Sequence, residues 1–208
     1  MFVDETNMTQ LHNPTTTHKI WVDIPLGTDK SNYRLNGRLD RRFPIVVYGP
    51  CTDTELSIWK KLRNIGCPLP WFSSSWSLQE DKVLVFEAIT ELVAPFDPPI
   101  VFRHILLQLS FLHQFQVHGN ITRTSICQNV HGYYLNPIKP ETLSLTTAIR
   151  RYDILDTIRC LYDATQAVPL LMYFEMIKDE ELTPNNYMNY MNLFENMKKI
   201  FENTKKLS

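Results

Sequence analysis

Apolar and polar residues alternate over short distances in the first part of the chain. Lys19-Ile20-Trp21-Val22-Asp23-Ile24 is followed by a turn signal at Gly27-Thr28-Asp29-Lys30, and Phe43-Pro44-Ile45-Val46-Val47-Tyr48 is closed by Gly49-Pro50. A period of two bounded by Gly and Pro predicts a small antiparallel sheet. Thr52 or Asp53 can cap a helix running from Glu55 to Arg63, which sets Leu56, Trp59, Lys60 and Leu62 at helical spacing before Gly66 and Pro68 end it. Strand signals return at Trp71-Phe72-Ser73-Ser74 and at Lys82-Val83-Leu84-Val85-Phe86-Glu87. After Pro95, Pro98 and Pro99 the period changes. Ile100 to Leu112 is too apolar for a surface helix and is expected at the core of a second lobe. A short strand pair is expected from Ser125 to Leu135, turning at His131-Gly132, with helices at about 150 to 165, 168 to 179 and 184 to 204. Residues 1–17, polar and rich in Thr and Asn, are expected to be a mobile tail, leaving a sheet-rich lobe over 18–92 and a helical lobe over 93–208. Strands first and helices afterwards make an α+β protein.

Composition narrows the function. With 208 residues and 44% hydrophobic residues the chain can bury a substantial core, so disorder is excluded as its main state. Lys and Arg number 21 against 22 Asp and Glu, a net charge of -1 that gives no whole-protein field for a polyanion, and no nucleic-acid partner is expected. The glycines, at 27, 37, 49, 66, 119 and 132, form no phosphate-cradling motif. Cys51, Cys67, Cys127 and Cys160 are widely separated and read as free thiols, and no metal site is expected. MFVDETNMTQ lacks the basic start and apolar run of a signal peptide, and the longest apolar stretch is interrupted by Gln108, His113 and Gln114. These features imply a cytoplasmic or nuclear protein, neither secreted nor membrane-bound.

In their order along the chain several strings resemble the eukaryotic protein-kinase fold, nearest to the casein-kinase-one and vaccinia-related kinase group. Glu55 to Ile65 is similar to the αC helix with its ion-pair glutamate at Glu55. Val83 to Glu87 looks like strand five, with Phe86 at the gatekeeper and Glu87 opening the hinge. Ile105 to His113 resembles αE. His118-Gly-Asn-Ile-Thr-Arg-Thr-Ser125 stands where kinases carry HRDxKxxN, and Arg150 to Ile158 resembles the start of αF. The interval from His113 to His118 is one residue shorter than usual. The resemblance covers roughly residues 18 to 175 and implies a two-lobed fold with a small antiparallel-sheet N-lobe and a reduced helical C-lobe.

Phosphoryl transfer needs a cation on the nucleotide phosphates, a carboxylate for the hydroxyl proton, and carboxylate and amide ligands for magnesium. By the resemblance, the strand-three lysine falls on or next to Gly49, the catalytic aspartate on Asn120, the catalytic-loop lysine on Thr122, the metal-binding asparagine on Ser125, and the DFG aspartate within Leu135 to Pro140, at Asn136. The framework positions Glu55, Trp59, Phe86, His118 and Asp153 are kept, Asp153 matching the αF aspartate that anchors the catalytic-loop backbone. Framework without chemistry is the pattern of a pseudokinase.

The expectation is therefore a catalytically inactive module with no cofactor and no small-molecule substrate. It would act on a protein partner, a kinase or a kinase substrate, and its eroded motifs are compatible with a virus or intracellular parasite directed at a host kinase pathway. Trp71, Phe72 and Trp76, residue types common at binding hot spots, are the candidate interface. Two alternatives carry different residues: an atypical phosphotransferase using Arg41 or Arg42 as the cation and Asp153 or Glu87 as the carboxylate, and a non-kinase scaffold whose helices at 150 to 204 bind a partner helix. The bland competitors are plain. Glu55 can be a first-turn acid favoured by the helix dipole, His118 a loop histidine, Asp153 a solvated acid beside Arg150 and Arg151, and Lys198, Lys199, Lys205 and Lys206 a solvated helix end.

Overall fold

In a computed structural model, residues 8–115, 117–119, 121–136, 147–180 and 187–207 are described. They form two compact units, one drawn from the residues up to Lys61 together with Leu69–Ile89, the other from Leu62–Pro68 together with the residues from Thr90 onward.

The first unit is built on the alternation seen in the sequence. Strands β1 (Met8–Leu11), β2 (Ile20–Asp23), β3 (Tyr33–Leu39), β4 (Phe43–Gly49), β5 (Phe72–Leu78) and β6 (Asp81–Glu87) pair antiparallel in the order β1-β2-β3-β4-β6-β5, with helix α1 (Asp53–Asn64) inserted between β4 and β5. The two ends of that order are joined where His12 N donates to Ser77 O at 2.8 Å and Ser77 N donates to His12 O at 2.9 Å, closing the curled sheet into a barrel. One residue in two points inward. Leu11, Ile20, Val22, Tyr33, Leu35, Ile45, Val47, Trp76, Leu78, Val83 and Val85 fill the interior. On the outer face of β4, β5 and β6, Phe86 lies opposite Val46 and Phe72, and α1 covers this apolar patch with Trp59. Being covered on both faces is why β4 and β6 read as nearly continuous apolar runs.

Two expectations are corrected. Met8–Leu11 lies inside the stretch expected to be a mobile tail, yet it forms β1, pairing Leu11 with Ile20 and burying the Leu11 side chain. Four residues with one inward leucine leave too little pattern for a strand to stand out. Strand β3 was not expected at all. Its outward positions are Arg34, Asn36 and Arg38 and its third inward position is Gly37, so its apolar density is low although the alternation is strict.

The second unit begins with β7 (Thr90–Glu91), which with β8 (Ile126–Asn129) and β9 (Gly132–Leu135) makes a three-stranded antiparallel sheet in the order β7-β8-β9. Helix α2 (Pro98–Leu112) packs against β9, α3 (Thr147–Thr165) and α5 (Tyr187–Leu207), while α4 (Val168–Ile177) packs on α3 and α5. The apolar stretch sits at the centre of this unit, with Val101, Phe102, Ile105, Leu106 and Leu109 buried. Gln108 is buried among them because both halves of its amide are used: Nε2 donates to Tyr133 O at 2.7 Å and Oε1 accepts from Leu135 N at 2.9 Å, tying β9 to α2. Among the described residues no helix is long and apolar enough to cross a membrane.

Leu11 separates a strand from a tail experimentally. Leu11→Ala is expected to cost about 2 to 5 kcal/mol, the range for truncating a buried leucine, read as a lower urea midpoint at constant m. A wild-type midpoint would return residues 8–12 to the tail.

Candidate functional site

Three helices of the second unit converge on Asp153, a carboxylate with 1% of its surface exposed. Its Oδ2 accepts from His118 N at 2.8 Å and its Oδ1 from Gly119 N at 2.8 Å. Two successive backbone amides reach one carboxylate because Gly119 takes a left-handed φ of 81°, which costs glycine nothing. His113, just past the end of α2, places Nε2 at 2.8 Å from Asp153 Oδ2, and its Nδ1 meets the Tyr190 hydroxyl of α5. A neutral imidazole satisfies every group here, with Nε2–H donating to Asp153 and Nδ1 accepting from Tyr190; the tautomer follows from the network. Burial pushes the His113 pKa down and outweighs the pull of Asp153 upward. His118 is also pushed down by burial, against the opposing influence of Asp153 and the Asn136 backbone. Burial pushes the Tyr190 hydroxyl up, so it stays protonated.

Beyond Gly119 the loop turns onto itself. Asn120 lies outside the described residues. Thr122 N donates to Ser125 Oγ at 2.9 Å, Ser125 N donates to Thr122 O at 2.9 Å, and the two hydroxyls lie 3.1 Å apart, a reciprocal cap on the short 3-10 turn Arg123–Ser125. Asn136 N donates to Ser125 O at 2.6 Å. The fold thus gathers His118, Thr122, Ser125, Asn136 and Asp153 into one neighbourhood. No group of three or more His, Cys, Asp or Glu among the described residues is placed to hold a metal ion.

The residues assigned to the first unit are distributed differently. Glu55 turns back on its own helix: Oε2 accepts from Thr52 N at 2.5 Å and from Thr52 Oγ1 at 2.9 Å, while Glu55 N donates to Thr52 Oγ1 at 3.2 Å. This is a capping box, the local role weighed against the ion-pair one. The cation beside the start of α1 is Lys82 of β6, at 2.6 Å from Asp53 Oδ1. Gly49 faces the barrel interior, where a Cβ would meet the Tyr33 ring at 2.7 to 2.9 Å. A lysine at 49 would have no route to the α1 side of β4; the neighbouring residue, Tyr48, stands on that side against Phe86, ring centroids 5.7 Å apart. Trp59 makes edge contacts with Phe86 at 5.3 Å and Phe72 at 6.1 Å.

The candidate interface is corrected. Trp71 is 48% exposed, but Phe72 and Trp76 are only 2% and 6% exposed. Phe72 stacks on Phe86 under α1, and Trp76 belongs to the barrel interior. Alternation along β5 explains it, with a register shift between Ser73 and Trp76 that turns both aromatics onto buried faces.

His113 and Tyr190 escaped the sequence reading as site residues, although a signal exists. His113 continues the buried series Ile105, Leu109 at steps of four, and Tyr190 opens the stripe Phe194, Met197, Phe201; a polar group on such a stripe needs a buried partner.

No protein-family model matches the chain, and no curated protein matches it. Solved structures do. The architecture described above is a protein-kinase-like fold, α+β, with a curled antiparallel sheet followed by a mainly helical part. It is similar over 99% of its length to 94% of the chain in a structure of vaccinia related kinase 3, with a TM-score of 0.56 and 14% sequence identity. A Toxoplasma gondii specific rhoptry antigen kinase domain matches 92% of this chain over 86% of its own, with a TM-score of 0.46 and 10% identity.

Two expectations follow from the buried network. Unfolded histidines titrate near 6.5, whereas His113 and His118 titrate lower in the folded chain. Between those values the unfolded state holds more protons, so stability is complete above about pH 6.5 and falls as pH drops, by up to about 1.4 kcal/mol per pH unit for each histidine. Urea midpoints from pH 7.5 to 5.5 should show this slope, reduced in His118→Gln; a flat profile in the wild type would refute it. Asp153→Ala strands the amides of His118 and Gly119 at about 1 to 3 kcal/mol each, and Trp59→Ala should cost about 3 to 5 kcal/mol. Wild-type melting temperatures for both variants would remove the two residues from the framework.

Proposed function

We propose that this protein is a catalytically inactive kinase-like module that works by binding another protein, a kinase or a kinase substrate. The observation that carries this reading is the use to which the loop after Asp153's amides is put. Thr122 and Ser125 spend their hydroxyls capping each other's backbone, and the backbone N–H of Asn136 donates to the Ser125 carbonyl of the same turn. Kinase magnesium sites rely on carboxylates as well as amides. Neutral hydroxyl and carboxamide oxygens at 122, 125 and 136 do not fit a magnesium nucleotide. The alternative phosphotransferase finds little support: Arg41 and Arg42 sit at the β3–β4 turn, at the opposite end of β4 from Gly49, about 20 Å by strand rise. Asp153 is occupied by two amides and a histidine, and Glu87 Oε1 accepts from Trp71 N at 3.2 Å.

With Phe72 and Trp76 buried, the binding surface is better supported on α4. Leu170, Tyr173 and Ile177 face inward, while Val168, Leu171, Met172 and Met176 remain exposed. Beside them lies a cavity of about 270 Å³ lined by Ile158, Tyr162, Leu170, Leu171 and Phe174 among others. A contiguous exposed apolar face with flexible methionines suits a protein partner. Eroded chemistry suits a virus or intracellular parasite acting on a host kinase pathway.

The purified protein is expected to transfer no phosphate and to show no magnesium-dependent ATP stabilisation in a thermal shift, where a bound nucleotide would raise the melting temperature by mass action. A kinase or kinase substrate should co-purify with the wild type and be lost, by at least about tenfold, from a Leu171→Glu/Met172→Glu variant with unchanged melting temperature. ATP-dependent phosphate transfer, or equal recovery by the variant, would overturn the respective half of the reading.

A further inference from the structure

Val168, Leu171, Met172, Glu175 and Met176 recur at the spacing that puts residues on one side of a helix, and all five are exposed. Leu170, Tyr173 and Ile177 take the opposite side of α4, where the Tyr173 hydroxyl donates to Leu193 O of α5 at 2.7 Å, so α5 packs behind this stripe. The stripe runs toward acid. From Asp156 to Glu180 the sequence carries five acids, Asp156, Asp163, Glu175, Asp179 and Glu180, against two bases, Arg159 and Lys178. Both bases are engaged: Arg159 Nη1 lies 3.6 Å from Asp156 Oδ1, and Lys178 Nζ lies 2.6 Å from Glu175 Oε2 with Asp179 adding its pull. Arg151, the other base at that end, donates Nη2 to the Lys178 carbonyl. Among the described residues, Asp163, Asp179 and Glu180 are left exposed and without an ion-pair partner.

The cavity of about 270 Å³ lies where α4 meets α3, with Leu171 in its wall. Ile158, Tyr162 and Phe174 make it apolar, and Asp163 stands among them. The Arg159 guanidinium, 5.4 Å from the Phe174 centroid, is held on that ring as well as by Asp156. One end of the stripe therefore offers an apolar well beside a free carboxylate. The other end, about 12 Å away by helix rise, offers two more.

These features select among occupants. The well is smaller than the roughly 300 to 1,000 Å³ of ordinary small-molecule sites and suits a single large side chain. An anionic lipid surface or an acidic segment would be repelled by the acids. A second copy docked by twofold symmetry would bring the same acids against themselves. A helix that is apolar on one side and basic on its flanks uses both the stripe and the carboxylates, in the helix-in-groove manner. We propose that the α4 stripe docks a basic amphipathic helix of the partner protein, one large apolar side chain entering the cavity while lysines or arginines meet Asp163 at one end and Asp179 and Glu180 at the other. This rests on the protein-binding reading of α4 and specifies the chemistry of the segment bound there.

The test is fluorescence anisotropy of the full chain with three labelled peptides of about five helical turns: a leucine/lysine amphipathic helix with one tryptophan on its apolar side, the same pattern with glutamate for lysine, and the lysine peptide with its apolar residues scattered around the helix. The first is expected to bind at least about tenfold more tightly than either other, and its advantage over the glutamate peptide should shrink in high salt. Asp163→Lys/Asp179→Lys should reverse the preference between lysine and glutamate peptides. Leu171→Ala/Met172→Ala should weaken the first peptide about fivefold or more while keeping the preference for lysine. These side chains are exposed, and an unchanged melting temperature verifies folding. No binding of the leucine/lysine peptide, equal binding of all three, or a preference for lysine that survives the charge reversal would overturn the proposal. So would dimerisation of the chain alone that Asp163→Lys/Asp179→Lys abolishes, which would assign the face to a second copy. If the co-purifying kinase or kinase substrate is lost from Leu171→Glu/Met172→Glu but fully retained by Asp163→Lys/Asp179→Lys, the basic helix is overturned and protein binding at α4 stands; retention by both variants removes the site itself.

Discussion

A carboxylate removed from water is tolerated only if its lone pairs are filled, and Asp153 meets that requirement by recruiting parts from across its unit. The His118 and Gly119 amides, the His113 imidazole behind them, and the Tyr190 hydroxyl behind that imidazole come from the loop after α2, the end of α2 and the far helix α5. Each depends on the next. The apolar face of α2 could pack in many ways, since hydrophobic burial is non-directional, whereas directional bonds from two amides and a ring nitrogen to one acid tolerate little displacement. The network therefore specifies the register of the helices, and the apolar stripes supply the driving force.

In the first unit the specifying device is different. Among the described residues no buried charge organises the barrel. Its arrangement follows from strand alternation, with bulky residues inside, α1 over one outer sector, and polar residues on the rest. Tyr33 adds a polar anchor near the interior, donating to Asp81 at 3.2 Å, and burial together with that neighbour pushes its pKa up. The two units thus reach uniqueness by opposite routes, one through polar satisfaction and one through periodicity and packing.

This contrast explains what was legible in the sequence. Elements with a strong period, namely α1, α2, β4 and β6, can be read directly, as can Asp153 as an anchor for the backbone near His118 once the kinase resemblance is recognised. Strand β1 and strand β3 cannot, because one is four residues long and the other carries arginine and glycine where apolar residues would announce it. The fate of Phe72 and Trp76 was illegible for a related reason: aromatic residues near a serine run look the same whether the strand turns them inward or outward, and the register shift at Ser73 decides it. Glu55 is ambiguous in the same way, since a first-turn acid three residues after a threonine satisfies both a helix cap and an ion-pair position, and the structure shows the cap.

The barrel seam has a consequence for the behaviour of the chain in a crowded solution. The edges of β1 and β5 meet in the backbone bridge between His12 and Ser77, beside which Asn13 Nδ2 donates to Ser75 Oγ at 3.2 Å. When that clasp opens, two strand edges with unpaired amides and carbonyls become templates for another copy, and β1, only four residues long, has the least pairing to lose. Short length, the exposed Ser75 of β5, and the histidine at the seam limit how far such pairing can run. The protection of this protein against edge-to-edge association thus resides in a short cluster of hydrogen bonds, the His12–Ser77 pair and Asn13 Nδ2 to Ser75 Oγ among them, and in the leucine that precedes them.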